Sequence, residues 1–240
     1  MVIYFIQIFY YIKDKNDEGM VQVMKDTIIF DLDGTLLNTL DDLARSTNYA
    51  LSQYNYPTRT TDQVRSFVGN GIKLLIERAL PDKFSDDEFE KVFATFKEHY
   101  MIHCNDQTGA YEGVPELLKK LKEHHIKMAI VSNKADAATK ELHELYFNGL
   151  IDVAIGENEA AGIRKKPSAD MVVEALKELG STSSEAIYVG DSDVDIDTAA
   201  NANMDCVSCS WGFRSIEFLK EHGATHIIKK PDELLNFIDC

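Results

Sequence analysis

Positive charge is scarce in this 240-residue chain: 25 lysines and arginines face 40 aspartates and glutamates, for a net charge of -15. Nucleic-acid binding and anionic-membrane binding both need a basic face that displaces counterions, so neither is expected. A small phosphorylated substrate stays open, because one metal ion and one lysine reverse the local field. Cysteine is sparse as well. Four cysteines do not make a disulfide scaffold, and the single C-x-x-C of Cys206 and Cys209 has no second pair and no nearby histidine for a four-ligand zinc site. Reduced thiols in the cytoplasm are expected. The histidines form no H-E-x-x-H, and the chain has no G-K-[ST] phosphate loop and no G-x-S-x-G nucleophile elbow. Internal repeats and low-complexity tracts are missing too. The apolar run at residues 2–12 is shorter than the roughly 20 residues of a spanning helix. It also lacks the basic flank and small-residue cleavage site of a signal peptide. Residues 1–24 are therefore set apart as an N-terminal extension, with an anchor or a packing strand as the other readings of the run.

What remains alternates. Thr27-Ile28-Ile29-Phe30 is a short apolar run ending in Asp31-Leu32-Asp33-Gly34-Thr35. Runs of this kind between polar turns read as buried parallel strands. Residues 127–131, 151–155, 186–189, 205–208 and 225–228 are further candidates. Helical patterns lie between them: 115–124 carries a proline in its first turn, and 169–179 stops at Gly180. Strands alternating with helices predict an α/β fold, a doubly wound parallel sheet. Residues 38–109 break the alternation. They read as helices over 40–54, 63–80 and 86–103, a helical domain inserted into an α/β core of residues 25–37 and 110–240.

In a doubly wound sheet, ligands bind beyond the carboxyl ends of the strands. Three strand ends carry polar residues: Asp31 with Asp33, Ser132 with Asn133, and Asp191. A carboxylate at such an end could ligate a metal, attack an electrophile, or act as acid or base. The run Asp191, Asp193, Asp195, Asp197 is not a calcium loop, because Ile196 stands where glycine is needed and Ala202 where glutamate is needed. Asp193 and Asp197 are expected to cap and charge the start of a helix, which leaves Asp191 as the metal-ligand candidate. Arg164-Lys165-Lys166-Pro167 is a basic cluster in an acidic chain. One of its lysines could neutralise charge between the carboxylates, and spacing does not choose which. Gly69-Asn70-Gly71 lacks the third glycine of a dinucleotide fingerprint. It opens a predicted helix whose free N–H groups could receive a carboxylate, or it is a plain helix start.

Four motifs in order, Asp31-Leu32-Asp33-Gly34-Thr35, Ser132-Asn133-Lys134, Lys166-Pro167 and Gly190-Asp191-Ser192-Asp193-Val194-Asp195, resemble the haloacid dehalogenase superfamily of phosphotransferases. The inserted helices resemble that superfamily's C1 cap. Leu40-Asp41-Asp42-Leu43, Phe67-Val68-Gly69-Asn70-Gly71 and Tyr111-Glu112-Gly113-Val114 are most similar to phosphoglycolate phosphatases. Asn38-Thr39 and Asn203-Met204 depart from that pattern. The resemblance implies a Mg²⁺-dependent phosphatase acting on a small phosphomonoester. It makes Asp31 the nucleophile and Asp33 the general acid and base, and has Ser132 and Lys166 contact the phosphoryl group. Mg²⁺ falls to Asp31, Asp33 and Asp191, with Asp195 in support. It assigns substrate contacts to Gly34, Thr35, Asn133, Gly69, Asn70 and Gly71. A phosphomutase, a pyrophosphatase or a nucleotidase would use the same residues. A monomer or homodimer is expected.

Overall fold

The computed structural model describes residues 24–238 and the backbone of two short strands before them. These two strands, β1 (Tyr11–Ile12) and β2 (Val21–Gln22), pair antiparallel. Most of the apolar run at residues 2–12 lies outside the described residues.

Six parallel strands form the central sheet: β3 (Thr27–Phe30), β6 (Lys127–Ala135), β7 (Val153–Glu157), β8 (Ala186–Gly190), β9 (Asp205–Cys209) and β10 (His226–Ile228). Their order is β10-β9-β8-β3-β6-β7. Every residue of β3 is buried, as its unbroken apolar run requires of a strand covered on both faces. Alternation does the rest. Ile28 and Phe30 join one core layer with Leu117, Leu118 and Leu121 of α5 (Val114–Glu123) and Leu142 of α6 (Asp136–Phe147). Ile29 points the other way, into a layer with Met171, Val172 and Ala175 of α7 (Asp170–Leu179) and Ala199 of α8 (Asp193–Asn201). The chain turns outward from the central strand in both directions, so β3 lies between β6 and β8 at the switch point of the sheet. The carboxyl ends that carry Asp31, Ser132 and Asp191 are thus adjacent.

Between β3 and β6 the chain leaves the sheet for four helices: α1 (Leu40–Gln53), α2 (Thr61–Phe67), α3 (Ile72–Ala79) and α4 (Asp86–His103). The single helix expected over 63–80 is two. Gly69 and Gly71 have φ of 119° and 89°, a region open to glycine and closed to a continuing helix. Capping boxes start α2, from Thr60 and Gln63, and α4, from Ser85 and Glu88. The bundle has its own apolar cluster, with Leu51, Val64, Ile76, Val92 and Phe96 all fully buried. Phe213, from the loop after β9, packs into the same cluster.

The chain enters and leaves the bundle through two short strands that the sequence reading lacked, β4 (Leu37–Asn38) and β5 (Gly109–Ala110), paired antiparallel. Asp42, completely buried in α1, holds the returning chain: its carboxylate accepts from the Gln107 and Thr108 backbone N–H groups and from Thr108 Oγ1. Asp42→Ala would orphan two backbone donors at about 1–3 kcal/mol each. Its expected effect is a loss of about 2–6 kcal/mol of stability, read as a lowered urea midpoint at unchanged m-value.

Candidate active site

The local chain explains how each group reaches the site. β3 delivers Asp31 at its end, and the turn through Gly34 bends back so that Gly34 N–H donates to Leu37 O at 2.8 Å. β8 ends at Gly190, and α8 starts three residues later. Its capping box is built by Ser192 and Asp195, not by Asp193 or Asp197, because only the third helical residue reaches back to the cap. One Asp195 oxygen, Oδ2, accepts from the N–H groups of Asp191 and Ser192 and from Ser192 Oγ at 2.6 Å. The other, Oδ1, accepts from Lys166 Nζ at 2.8 Å and Tyr188 OH at 3.1 Å.

Of the two neighbouring lysines, Lys166 is the one buried in the site, and its ammonium lies 2.7 Å from Asp31 Oδ1. Asn133 fixes its backbone: Oδ1 accepts from Lys166 N–H at 2.7 Å, and Nδ2 donates to Lys166 O at 3.1 Å and to Gly69 O at 3.3 Å. The Asn133 side chain is therefore committed to two loops. Asp191 is held by Phe213 N–H at 2.6 Å and by the Thr35 hydroxyl at 3.3 Å. It sits in a cradle of glycines. A Cβ on Gly34, whose φ is 92°, or on Gly212 would fall 2.5 Å from Asp191 Oδ2.

Three buried carboxylates, Asp31, Asp191 and Asp195, come together with one oxygen of each within 4.8 Å of the others, facing the single ammonium of Lys166. Burial pushes the Asp31 carboxyl well above the usual carboxylate range, and Asp195 adds to the effect while Lys166 opposes it. Burial and Asp195 likewise push Asp191 up to about 7. Lys166 is raised: burial disfavours its charge, but Asp195 and Asp31 outweigh that. Carboxylates crowded against one another in a buried site resist ionisation, and a divalent cation among them would relieve that repulsion. The cluster's all-oxygen donors are those of a hard ion. Asp195 is the most engaged of the three, with three donors on Oδ2 and two on Oδ1, whereas Asp191 accepts one on each oxygen.

A cavity of about 470 Å³, open mouth included, is lined by Asp31, Asp33, Ser132, Asn133, Lys134 and Lys166 from the sheet. Leu43, Val68, Gly69, Gly71, Ile72 and Leu75 of the bundle face them across it. Among the residues expected at the site, Gly34, Thr35, Asn70, Asp191 and Asp195 lie outside this lining; Thr35 donates to Asp191, and Gly34 lies close against it. Arg214 ties the two halves, donating to the Arg65 and Val68 carbonyls at 2.8 and 2.6 Å.

Sequence reasoning missed Lys134 as a site residue. It is 6% exposed, pairs with Asp33 Oδ1 at 3.1 Å and donates to Tyr100 OH at 2.8 Å. The available signal was its place two residues past Ser132, within the second motif and right after the apolar run 128–131.

A family model described as haloacid dehalogenase-like hydrolase matches residues 28–209. The chain belongs to the haloacid dehalogenase-like hydrolases. A phosphoglycolate phosphatase from Colwellia psychrerythraea is 34% identical over 218 residues, covering 88% of this chain and 96% of the relative. One from Aquifex aeolicus is 30% identical over 213 residues, with the same coverage. A crystal structure from Lactobacillus delbrueckii subsp. bulgaricus superposes with a TM-score of 0.83 at 35% identity, covering 88% of this chain and 97% of that one. In this haloacid dehalogenase-like hydrolase no described helix is long and apolar enough to cross a membrane.

Asp195→Asn would put an amide where three donors converge and leave Lys166 a weaker partner. Breaking a buried ion pair costs about 3–5 kcal/mol. Thermal unfolding of this variant, followed by circular dichroism, is expected to show a loss of that size.

Proposed function

We propose that this hydrolase is a Mg²⁺-dependent phosphatase that cleaves a small phosphomonoester, 2-phosphoglycolate first among the candidates, through an aspartyl-phosphate on Asp31. The phosphatase class rests on the curated relatives. The observation that carries the mechanism is Asp31 itself: a buried carboxylate at a strand end, paired through Oδ1 with Lys166 and opening on the cavity beside Asp33.

In this reading an oxygen of Asp31 attacks phosphorus in line, and the ester P–O bond breaks. Asp33 gives its proton to the departing alcohol. Asp33 then takes a proton from water, which attacks the aspartyl-phosphate and releases inorganic phosphate with Asp31 restored. Lys166 holds Asp31 in place and offsets the charge of the incoming phosphoryl oxygens. Ser132, 2% exposed in the cavity wall, donates its hydroxyl to a phosphoryl oxygen. The Asp31 and Asp191 carboxylates and the Asp33 carbonyl would hold Mg²⁺. When bound, the ion supplies charge that lowers the repulsion between anionic nucleophile and anionic substrate.

The bundle of residues 38–109 acts as a cap. Its apolar residues Leu43, Val68, Ile72 and Leu75 keep water from the reacting centre, as lids do, and leave room for a small leaving group only. The N–H groups at the start of α3, past Gly71, are the proposed contact for a substrate carboxylate. A cytoplasmic location fits the free thiols of Cys104, Cys206 and Cys209.

Phosphate release from a panel containing 2-phosphoglycolate, sugar phosphates, nucleotides and pyrophosphate tests the reading. Selective turnover of 2-phosphoglycolate is expected, abolished by EDTA and restored by Mg²⁺. Interconversion of sugar phosphates without phosphate release would replace it with a mutase. Asp31→Asn is expected to fold normally and release no phosphate, and full activity in that variant would sink the mechanism. Asp33→Asn is expected to lower kcat by about 10²–10⁴-fold.

A further inference from the structure

Two lysines line the cavity, and the mechanism above employs only Lys166. Lys134 is buried as well, and it pairs with Asp33 rather than Asp31. Its two polar contacts belong to different parts of the molecule. Asp33 follows the central strand, whereas Tyr100 is in the last turn of α4, in the helical bundle. The Lys134 ammonium lies off the hydroxyl end of Tyr100, 4.9 Å from the ring centre, so the hydroxyl is the contact that holds it. Tyr100 is itself fixed: it is 7% exposed and stacks on Phe96 at 5.3 Å in the bundle's apolar cluster. Asp33, by contrast, is the least enclosed acid of the site, with 16% of its side chain exposed. Backbone donors and a capping serine pin Asp195, and the Phe213 N–H pins Asp191. The contact that restrains the Asp33 carboxylate is Lys134.

We infer that Lys134 is a positioning residue for Asp33, held in turn by Tyr100, so that the proton-transferring carboxylate is set against the bundle as well as against the sheet. The inference rests on the proposed phosphatase reading. A long, flexible ammonium side chain is a poor positioner alone, because it loses much rotamer freedom on being fixed. Tyr100 lowers that cost by holding Nζ from the far side. The device makes proton transfer depend on where α4 lies.

Leaving-group dependence tests this. An alkyl alcohol needs a proton to depart, whereas p-nitrophenolate departs without one, so a displaced Asp33 harms the first ester far more. The full chain with Mg²⁺ is assayed on ethyl phosphate and p-nitrophenyl phosphate, neither of which carries a carboxylate, and on 2-phosphoglycolate. kcat/KM is compared, because it reports the step that expels the alcohol. Lys134→Met is expected to lose about tenfold or more kcat/KM on ethyl phosphate and 2-phosphoglycolate beyond its loss on p-nitrophenyl phosphate. Combining it with Asp33→Asn is expected to add no further loss. Tyr100→Phe keeps the ring and its stacking and removes only the hydroxyl. It is expected to show the same selectivity at smaller size, and it carries the test if Lys134→Met does not fold. Equal losses on all esters, or losses that multiply with Asp33→Asn, would overturn the inference. A loss confined to 2-phosphoglycolate would overturn it too, by making Lys134 a receptor for the substrate carboxylate. A wild-type protein inactive on every ester would bring down the phosphatase reading and this inference with it.

Discussion

Lys166 lies between Asp31 and Asp195, its ammonium 2.7 and 2.8 Å from their oxygens, and the rest of the site is arranged around that contact. Each buried ion costs several kcal/mol in lost hydration, so the three groups persist only because the surroundings satisfy them. Asp195 is fed by the capping geometry of α8, and Asn133 clamps the Lys166 backbone. Tyr188 bonds to both Lys166 and Asp195. Two elements far apart in the chain, the loop before α7 and the start of α8, are thereby drawn to the end of β3. The arrangement still leaves Asp31 and Asp191 crowded by buried carboxylate, and under the proposed function a cation would relieve that crowding.

The sheet and the bundle divide the work. The sheet edge is charged, rigid and buried, as expected where three parallel strands end side by side. The bundle contributes an apolar roof with glycine at its lowest point, where the break between α2 and α3 lets the backbone approach the Asn133 amide. Polar tethers cross between them at Asn133, Arg214 and Lys134. Phe213 adds an apolar one, and the same residue's N–H holds Asp191. The bundle and Asp191 are thus linked through one loop.

Much of this was legible in the chain. Apolar runs of strand length ending in acids marked β3 and β8, because a strand buried on both faces leaves no ambiguity of pattern. Ser132 and Asp191 were readable as strand-end groups for the same reason. The helix expected over 63–80 breaks at Gly69-Asn70-Gly71, a stretch also readable as a helix start, and the positive φ of both glycines in the folded backbone decides for the break. Thr35 and Asn133 were readable as site residues by resemblance, yet their side chains serve Asp191 and Lys166, which depends on contacts between distant segments. Lys134 lies in the second motif but was given no role, because a lysine next to a strand end has a solvated default.

Sequence alone determined the α/β alternation, the placement of the helical insertion and the identity of the strand-end acids. These follow from local pattern: periodicity of two against 3.6, and turn residues at the boundaries. Tertiary structure decided which lysine enters the site, which oxygens of Asp195 are already spent, and that Asp33 has a partner tied to the bundle. Those are questions of which charge meets which across 30 to 160 residues of chain, and only the packing of sheet against bundle brings such groups within hydrogen-bonding distance.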